Sequence, residues 1–290
     1  MVALLAALVG APAPAAESVP GPRLTIVDGE AVLTDGADRL AAAEGVVLRF
    51  HTLIETGARS NLLRIEWADG QVVDLGPATR IMFDPPSTRR RGEPGPAIYV
   101  LQGWVKQQSA PGAMSPGMVS PMLDVEPFAG AVVSYVDAER AWLFVEAGQV
   151  PLTERGLKSP ARLNVRAGGT YTRTGDARGA TATRPTSDAM KQVPRAFRDP
   201  LPHRFDRFKG SQVDAKPLPA PSYADLQAWL SAEWRIRSGF VRRFDELLRD
   251  RDFRAGIDAN MKDHREWHPI LYPPPPPPPE ETPASAPPRR

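Results

Sequence analysis

The sequence predicts a mainly β fold (a sandwich, a roll or a solenoid) followed by a small α-helical C-terminal segment. Between residues 24 and 173, short apolar or alternating runs are separated by Gly, Asp and Pro, a pattern typical of all-β domains. From Ser222 onward the apolar residues recur at helical spacing instead. With 290 residues, of which 42% are hydrophobic, the chain can bury the core of one ordinary domain and a smaller one.

Residues 1–16 have the character of a signal peptide. They carry no charge, and the apolar run MVALLAALVG precedes small residues that suit signal peptidase. The run is shorter than the roughly 20 residues that a transmembrane helix needs. The alternative, a buried N-terminal helix, would be ended abruptly by Pro12 and Pro14. We therefore expect a periplasmic mature chain that begins near residue 17. Because no Lys or Arg precedes the apolar run, we also expect a basic region upstream of Met1.

Hairpin and turn signals order the β domain, which we place at residues 23–174. Asp28-Gly29 lies between two apolar runs, and Ala68-Asp69-Gly70 and Gly76-Pro77 mark further turns. Two proline-rich loops, residues 84–96 and 109–121, are predicted to lie outside the core. Strands are predicted at Leu24–Val27, Ala31–Leu33, Leu63–Trp67, Val72–Leu75, Arg80–Phe83, Ala97–Val105, Ala131–Tyr135, Trp142–Val145, Arg162–Val165 and Thr170–Thr172.

Three segments follow the β domain. Residues 175–221 read as an extended linker, although the aromatic residues near 197–208 predict that part of it docks on the folded protein. Residues 222–272 predict two or three helices, with Ser222 as N-cap, a capping box to Asp225, and breaks at Gly239 and Asp250. Residues 273–290 are predicted to be a proline-rich disordered tail, whose seven consecutive prolines favour the polyproline II conformation.

Residues 24–83 resemble the FecR domain. The resemblance lies in the order and spacing of Val27-Asp28-Gly29, Glu55-Thr56-Gly57, Ala68-Asp69-Gly70 and Leu75-Gly76-Pro77, while Phe50-His51 stands where the family often has Gly-Asp. It implies a periplasmic β domain like that of stand-alone exported FecR-domain proteins, without a defined activity. FecR regulators carry a cytoplasmic anti-sigma segment and a membrane helix before this domain. This chain shows neither, so the resemblance does not imply an anti-sigma role.

Two sets of side chains are candidates for a metal site. Met114, Met118 and Met122 recur every fourth residue, and thioether sulfurs suit Cu(I). However, intervening Ser-Pro pairs prevent a simple helix from aligning these sulfurs, and apolar cover of the β core explains them as well. His264 and His268 could share a helix face, but Arg265 stands where a zinc hydrolase needs Glu, and no third ligand is evident. We assign no metal and no cofactor.

Composition argues against several classes of function. The absence of cysteine excludes disulfides, thiolate catalysis, thiolate zinc sites and iron–sulfur clusters. The sequence contains neither a nucleophile-elbow motif nor a glycine-rich phosphate loop, so we predict that the protein is not an enzyme and assign no catalytic residue. With 36 basic and 34 acidic residues and no dense basic run beyond Arg89–Arg91, we do not expect nucleic-acid binding.

The remaining candidates are interaction surfaces. Arg89–Arg91 could contact an anionic partner, and the prolines of the tail could dock in an aromatic groove of a partner. The aromatic helix face formed by Trp229, Trp234, Phe240 and Phe244 could bind a partner, but we expect it to pack on the β domain or between helices. The resulting prediction is an exported, non-catalytic module that binds or scaffolds an unknown envelope protein. The alternatives are a periplasmic sensor arm in transmembrane signalling and a peptidoglycan or exopolysaccharide binder. The exposure of Tyr99, Trp104, Tyr135 and Trp142 distinguishes the polysaccharide binder from the others.

Overall fold

The computed structural model describes residues 21–86, 95–211 and 213–273. The predicted signal peptide at residues 1–16, the basic run Arg89–Arg91 and the tail beyond Pro273 lie outside the described residues. Within this part of the chain, no helix is long and apolar enough to cross a membrane.

Short strands dominate the described residues, and a small helical segment follows them, so the predicted fold class is confirmed. The strands are β1 Arg23–Asp28, β2 Ala31–Asp35, β3 Asp38–Ala41, β4 Leu53–Thr56, β5 Leu62–Glu66, β6 Val72–Leu75, β7 Arg80–Phe83, β8 Ile98–Gln108, β9 Met118–Val119, β10 Leu123–Val125, β11 Gly130–Val136, β12 Arg140–Glu154, β13 Arg162–Arg166, β14 Thr170–Thr174, β15 Ala180–Ala182 and β16 Lys216–Leu218.

The strands form a sandwich of two sheets. Sheet A has the order β1-β5-β6-β8-β11-β12-β14-β15, and every neighbouring pair is antiparallel. Sheet B has the order β16-β3-β2-β4-β7-β8-β9-β10-β12-β13 and is antiparallel except between β8 and β9. The long strands β8 and β12 belong to both sheets and therefore join the two layers.

Glycines allow these two strands to change sheets. β8 pairs in sheet B up to Gln102 and in sheet A from Gly103, which has a φ of 108°. A Cβ at Gly103 would lie 2.4 Å from Thr79, so a side chain has no room there. β12 changes sheets at Gly148, where φ is 81° and a Cβ would lie 2.0 Å from the Ala129 carbonyl oxygen. Glycine is required at such corners because it tolerates both the positive φ and the close approach.

The main core lies between the two sheets and follows from strand alternation. Along β5, Leu63 and Ile65 point into the sandwich, whereas Leu62, Arg64 and Glu66 point to the outer face of sheet A. Full burial of a side chain such as Leu63 contributes about 1.5–3 kcal/mol of transfer free energy. Even the outward residues of β5 are buried. The outer face of sheet A is therefore covered at this end.

The prediction that residues 109–121 lie outside the core is wrong. Met118–Val119 form β9, and both side chains are buried. The buried Ser120 hydroxyl accepts a hydrogen bond from the Leu123 amide at 3.0 Å. A proline-rich segment can be buried here because β8 and β10 pair with the β9 backbone, and the serine hydroxyl satisfies a backbone amide of the adjoining turn.

Helices cover the outer face of sheet B. They are α2 Tyr223–Leu230, α3 Trp234–Arg237, α4 Phe240–Arg243, α5 Arg251–Ala259 and α6 His268–Leu271, so the expectation of two or three helices is wrong. The predicted capping box between Ser222 and Asp225 is present, and Asp250 caps α5. The core of this layer includes Leu53, Met82 and Tyr99 of sheet B. Trp229, Phe240 and Phe244 pack in it as expected, but the expectation is wrong for Trp234, which is 61% exposed. The helices therefore complete their core with side chains of the sandwich.

Residues 175–221, described above as a linker, lie partly over sheet A. This segment includes β15, α1 Ser187–Gln192, two 3₁₀ turns at Arg195–Arg198 and Phe205–Phe208, and β16. Phe197 and Phe205 are buried, and Phe197 joins a cluster with Ile26, Leu62 and Val133 of sheet A. We refer to residues 193–208 as the docked segment.

Candidate functional site

The three methionines considered for copper do not converge. Met118 and Met122 are buried in the core between the sheets, whereas Met114 is 54% exposed. Burial of Met118 follows from its position in β9, and neither core methionine offers its sulfur to solvent. Met118 and Met122 therefore pack in the hydrophobic core and do not form a copper site with Met114.

The two histidines are also separated. His264 is buried and its Nε2 lies 2.8 Å from the Tyr223 hydroxyl, whereas His268 is exposed and its ring lies 5.2 Å from that of Tyr272. Burial lowers the pKa of His264 below its usual range. No group of three His, Asp or Glu side chains suited to a metal occurs within the described ranges.

The four aromatic residues considered for a binding face occupy two places. Tyr99 is fully buried beneath the helices, where its ring lies 6.5 Å from that of Trp229. Trp104, Tyr135 and Trp142 lie on the outer face of sheet A, outside the main core. The structure therefore separates Tyr99 from the other three.

Strand register places the latter three rings in one row. Tyr135 of β11 is opposite Trp104 of β8 on one side and Trp142 of β12 on the other, and Thr172 of β14 continues the row. The ring centroids of Trp104 and Tyr135 are 4.9 Å apart with a 53° angle between planes, and those of Trp104 and Trp142 are 5.7 Å apart at 68°. Such tilted contacts are favourable for aromatic pairs and hold the rings in place.

A cavity of about 370 Å³ opens above this row. Its floor is formed by Trp104, Tyr135, Trp142, Thr170 and Thr172, its far wall by Ala182, Arg184, Thr186, Asp188, Ala189 and Gln192, and its near edge by Arg140. The wall consists of β15 and α1, and the Thr186 hydroxyl caps α1 by accepting a hydrogen bond from the Ala189 amide. We call this cavity the aromatic cleft. Its volume falls within the range typical of ligand pockets.

Two guanidinium groups flank the aromatic cleft. The Arg140 guanidinium carbon lies 4.7 Å from the centroid of the Tyr135 ring, a cation–π contact that fixes the side chain beside the floor. Arg184 is exposed on the wall. Asp188 is the one carboxylate among the lining residues, and it pairs with Lys191 at 2.9 Å. The cleft therefore combines an apolar floor with a rim that can bind carboxylates.

The docked segment holds the adjoining part of sheet A in place through buried charges. Arg64 makes two hydrogen bonds to Asp74, at 2.7 and 2.9 Å, and a third to the Leu201 carbonyl. Glu66 accepts hydrogen bonds from the Arg204 and Phe205 amides at 2.8 and 2.7 Å. These hydrogen bonds hold the docked segment against β5 and β6, on the same outer face of sheet A that carries the aromatic cleft.

Lys106 links the docked segment to the strands that form the floor of the cleft. Its ammonium donates to the Phe197 carbonyl at 2.7 Å and lies 2.8 Å from a carboxylate oxygen of Glu146. Lys106 stands two residues beyond Trp104 on the same face of β8. The docked segment is therefore tied to β8 two residues away from Trp104, one of the rings of the floor.

A larger cavity of about 670 Å³ lies between β2, β3 and the segment near residues 210–215. Its lining combines aliphatic side chains with Asp35, Asp38, Asp214, Arg49 and Thr52, and contains no aromatic ring. Arg23, at its edge, already donates to the carbonyls of Gly45 and Ser211. This cavity therefore lacks the ring faces that the aromatic cleft can offer to an extended chain.

Sequence reasoning singled out Trp104, Tyr135 and Trp142 but missed Arg140 and Arg184. Arg140 could have been found from its position two residues before Trp142, because alternate residues of a strand share a face. No sequence signal marks Arg184, because its place on the cleft depends on α1 and β15 folding back over sheet A.

Comparisons with known proteins give limited information about this chain. No family model matches it, and no curated protein matches it. Among solved structures, two crystal structures of a candidate anti-sigma factor from Parabacteroides distasonis ATCC 8503 match with a TM-score of 0.37, at 15% and 14% identity. Each match covers 48% of this chain and 62% of that chain, so the chain spans less than two thirds of that protein's length. At this TM-score the likeness carries no functional argument, and the resemblance to the FecR domain rests on its sequence motifs.

Proposed function

We propose that this protein is an exported, non-catalytic module of the bacterial periplasm that binds a protein partner through the aromatic cleft. The observation that carries the proposal is the row of Trp104, Tyr135 and Trp142 beneath an open cavity with Arg140 and Arg184 at its edges. Export is supported by the signal-like residues 1–16.

The ligand proposed for the cleft is an extended peptide segment of the partner. Aromatic-lined grooves accept extended, proline-containing chains because the rings pack against pyrrolidine rings and exposed backbone. Arg140 and Arg184 can hold carboxylates of such a segment, and an arginine fork can bind a carboxylate with two hydrogen bonds.

The shape of the floor favours a peptide over a polysaccharide. A sugar stacks on an open, flat ring face, but the Trp104 and Tyr135 planes are tilted by 53° and Trp142 is only 8% exposed. The rings of the floor therefore form an uneven surface with gaps between them, which we call notches. Notches between tilted rings suit the alternating side chains and narrow backbone of an extended peptide.

Binding is favoured over catalysis by the nature of the lining. It supplies rings, three threonine hydroxyls, an amide and two guanidinium groups, and its one carboxylate is paired with Lys191. None of these lining residues is a histidine that could activate a hydroxyl. The lining therefore supports recognition of a ligand in preference to a chemical step.

Quantitative recovery of partners from the native envelope tests the proposal. The tagged full-length chain would be crosslinked in the cell and purified as wild type, Tyr135→Ser and Arg184→Glu, with Arg166→Glu on β13 as a matched exposed control. We expect recovery of a specific protein to fall about tenfold or more for both cleft variants and to be unchanged for the control. Circular dichroism would establish that the Tyr135 variant is folded, and Arg184 is exposed enough that its variant should fold regardless.

The same experiment separates the competing functions. Recovery of glycan without protein, dependent on Tyr135, would overturn peptide binding and support the polysaccharide binder. If the cleft-dependent partner is a membrane protein, the module acts as a sensor arm in transmembrane signalling. Partners that are recovered equally with all four chains would contradict a role for the aromatic cleft.

A further inference from the structure

The chain itself contains a proline-rich, acidic segment of the kind that the aromatic cleft is proposed to bind. Residues 273–279 are seven consecutive prolines, and Glu280 and Glu281 follow them directly. The prolines match an aromatic floor, and the two carboxylates match the two guanidinium groups at the edges of the cleft. This pairing is a charge complementarity between two parts of one sequence.

We propose that the aromatic cleft of one copy binds residues 273–281 of a second copy, so that the protein assembles with itself through its proline-rich tail. This inference rests on the proposed function, because it assigns a specific peptide to the same cleft. A proline run favours the polyproline II conformation before binding, so little conformational entropy is lost when it docks.

The electrostatic part of the contact involves Arg184 and Arg140. Arg184 is exposed, and it forms no ion pair with another residue that the structure describes. Arg140 lies on the Tyr135 ring, with its Nε 4.0 Å from Asp137, at the outer limit of an ion pair. Both guanidinium groups can therefore bind a further carboxylate without breaking a strong existing contact.

The position of Pro273 favours a second copy over the same chain. Leu271 belongs to the helical layer on the outer face of sheet B, whereas the aromatic cleft lies on the outer face of sheet A. The two faces are separated by the whole sandwich, whose sheets alone lie about 10 Å apart. To fill the cleft of its own chain, the segment that starts at Pro273 would have to reach the opposite face of the sandwich, whereas the cleft of a second copy can approach it directly.

Charge reversal in the full-length chain tests this inference by sedimentation velocity over a range of concentrations. We expect concentration-dependent association of the wild type and at least about tenfold weaker association for Arg184→Glu and for the tail variant Glu280→Lys/Glu281→Lys. Combining these substitutions should restore part of the association, because the charges are again opposite at position 184, although Arg140 then faces a lysine. Arg166→Glu, on β13 of sheet B, is the matched control and should associate like the wild type.

The outcomes distinguish this inference from the proposed function. A wild-type chain that stays monomeric up to about 100 µM, or a tail variant that associates normally, would overturn self-recognition. If Arg184→Glu still reduced recovery of another envelope protein, the proposed function would stand without it. If Arg184→Glu changed neither self-association nor partner recovery, both would fail.

Discussion

The ion pair between Arg64 and Asp74 shows how single residues fix the outer face of sheet A. Both side chains are almost completely buried, and the guanidinium meets the carboxylate through two hydrogen bonds. Glu66 lies 3.8 Å from the same guanidinium. Because desolvation of a charge is costly, such a pair depends on both partners being present.

Removal of one partner is therefore expected to be strongly destabilising. Asp74→Ala should lower the free energy of unfolding by about 3–5 kcal/mol, since it leaves the Arg64 guanidinium buried without its main acceptor. Urea unfolding followed by circular dichroism measures this change. Asp188→Ala, which removes a carboxylate from an exposed pair with Lys191, should leave the midpoint nearly unchanged. Equal effects of the two substitutions would contradict the importance of burial.

His264 makes the helical layer sensitive to acid. Its Nε2 contacts the Tyr223 hydroxyl, and its Nδ1 has no hydrogen-bond partner among the described residues. Burial lowers the pKa of His264, and Arg237 opposes its protonation while Glu266 and Asp263 partly favour it. The folded state therefore binds this proton less readily than the unfolded state does.

The sign of the pH dependence follows from that difference. With a folded pKa below the unfolded value of about 6.5, His264 should cost stability as the pH falls through 6.5 toward the folded pKa. His264→Gln should flatten the stability profile in this range, whereas His268→Gln, at an exposed position, should leave it unchanged. Thermal unfolding between pH 7 and 5 provides the measurement. A wild-type profile that is flat or rises on acidification would contradict this assignment.

At the scale of elements, Glu66 anchors the 3₁₀ turn Phe205–Phe208 to sheet A. Its carboxylate accepts hydrogen bonds from the Arg204 and Phe205 amides at the start of this turn. Amides at the start of a helical turn have no carbonyl acceptor within the turn itself. Glu66→Gln replaces a charged acceptor of both amides by a neutral one. Amide exchange at Phe205 should accelerate roughly 10-fold or more, since bonds to charged groups contribute about 1.5–3 kcal/mol.

A neighbouring glutamate provides the control for this exchange measurement. Glu44 is more exposed than Glu66, and its carboxylate lies 3.8 Å from the Arg204 guanidinium. The Arg204 and Phe205 amides donate their hydrogen bonds to Glu66 instead. Glu44→Gln should leave amide exchange in the turn unchanged. Unchanged exchange in both variants would show that apolar burial of Phe205 alone holds the docked segment.

Elements differ in how far the sequence reveals them. β1, β2, β5, β6 and β7 follow from alternation and Gly-containing turns, and the α2 start follows from Ser222 and Asp225, whereas β3 and β4 are not among the predicted strands. In contrast, β9 is only two residues long and exists because β8 and β10 lie on either side of it. The aromatic row depends on the register of β8, β11 and β12, which pair residues distant in sequence. Alternation predicts the face on which a ring lies, but not which ring lies beside it.

At the scale of the whole molecule, the helices and the sandwich should unfold together. The helical core contains Leu53, Met82 and Tyr99 from sheet B, and Trp229 donates to Glu55 of β4 at 2.8 Å. Arg155, which directly follows β12, also forms two hydrogen bonds to Glu233. The helices therefore lack a separate core that could persist after the sheets unfold.

We expect a single unfolding transition for all described elements. Far-ultraviolet circular dichroism and tryptophan fluorescence should give the same midpoint in urea. Trp229→Ala should lower that common midpoint, as loss of a buried Trp costs about 3–5 kcal/mol. Two separated transitions, with only the helical one moved by the substitution, would show that residues 222–272 fold independently.

Site-specific photocrosslinking can show whether a partner enters the aromatic cleft. A p-benzoylphenylalanine would replace Asp188 on the wall of the cleft, or Arg166 on β13 as control, in the full-length chain within its native envelope. We expect a crosslink from position 188, and not from 166, to one extended segment of a protein, either residues 273–290 of a second copy or a segment of another chain. Crosslinks from position 166 alone, or none at position 188 while partners are still recovered, would place recognition elsewhere on the molecule.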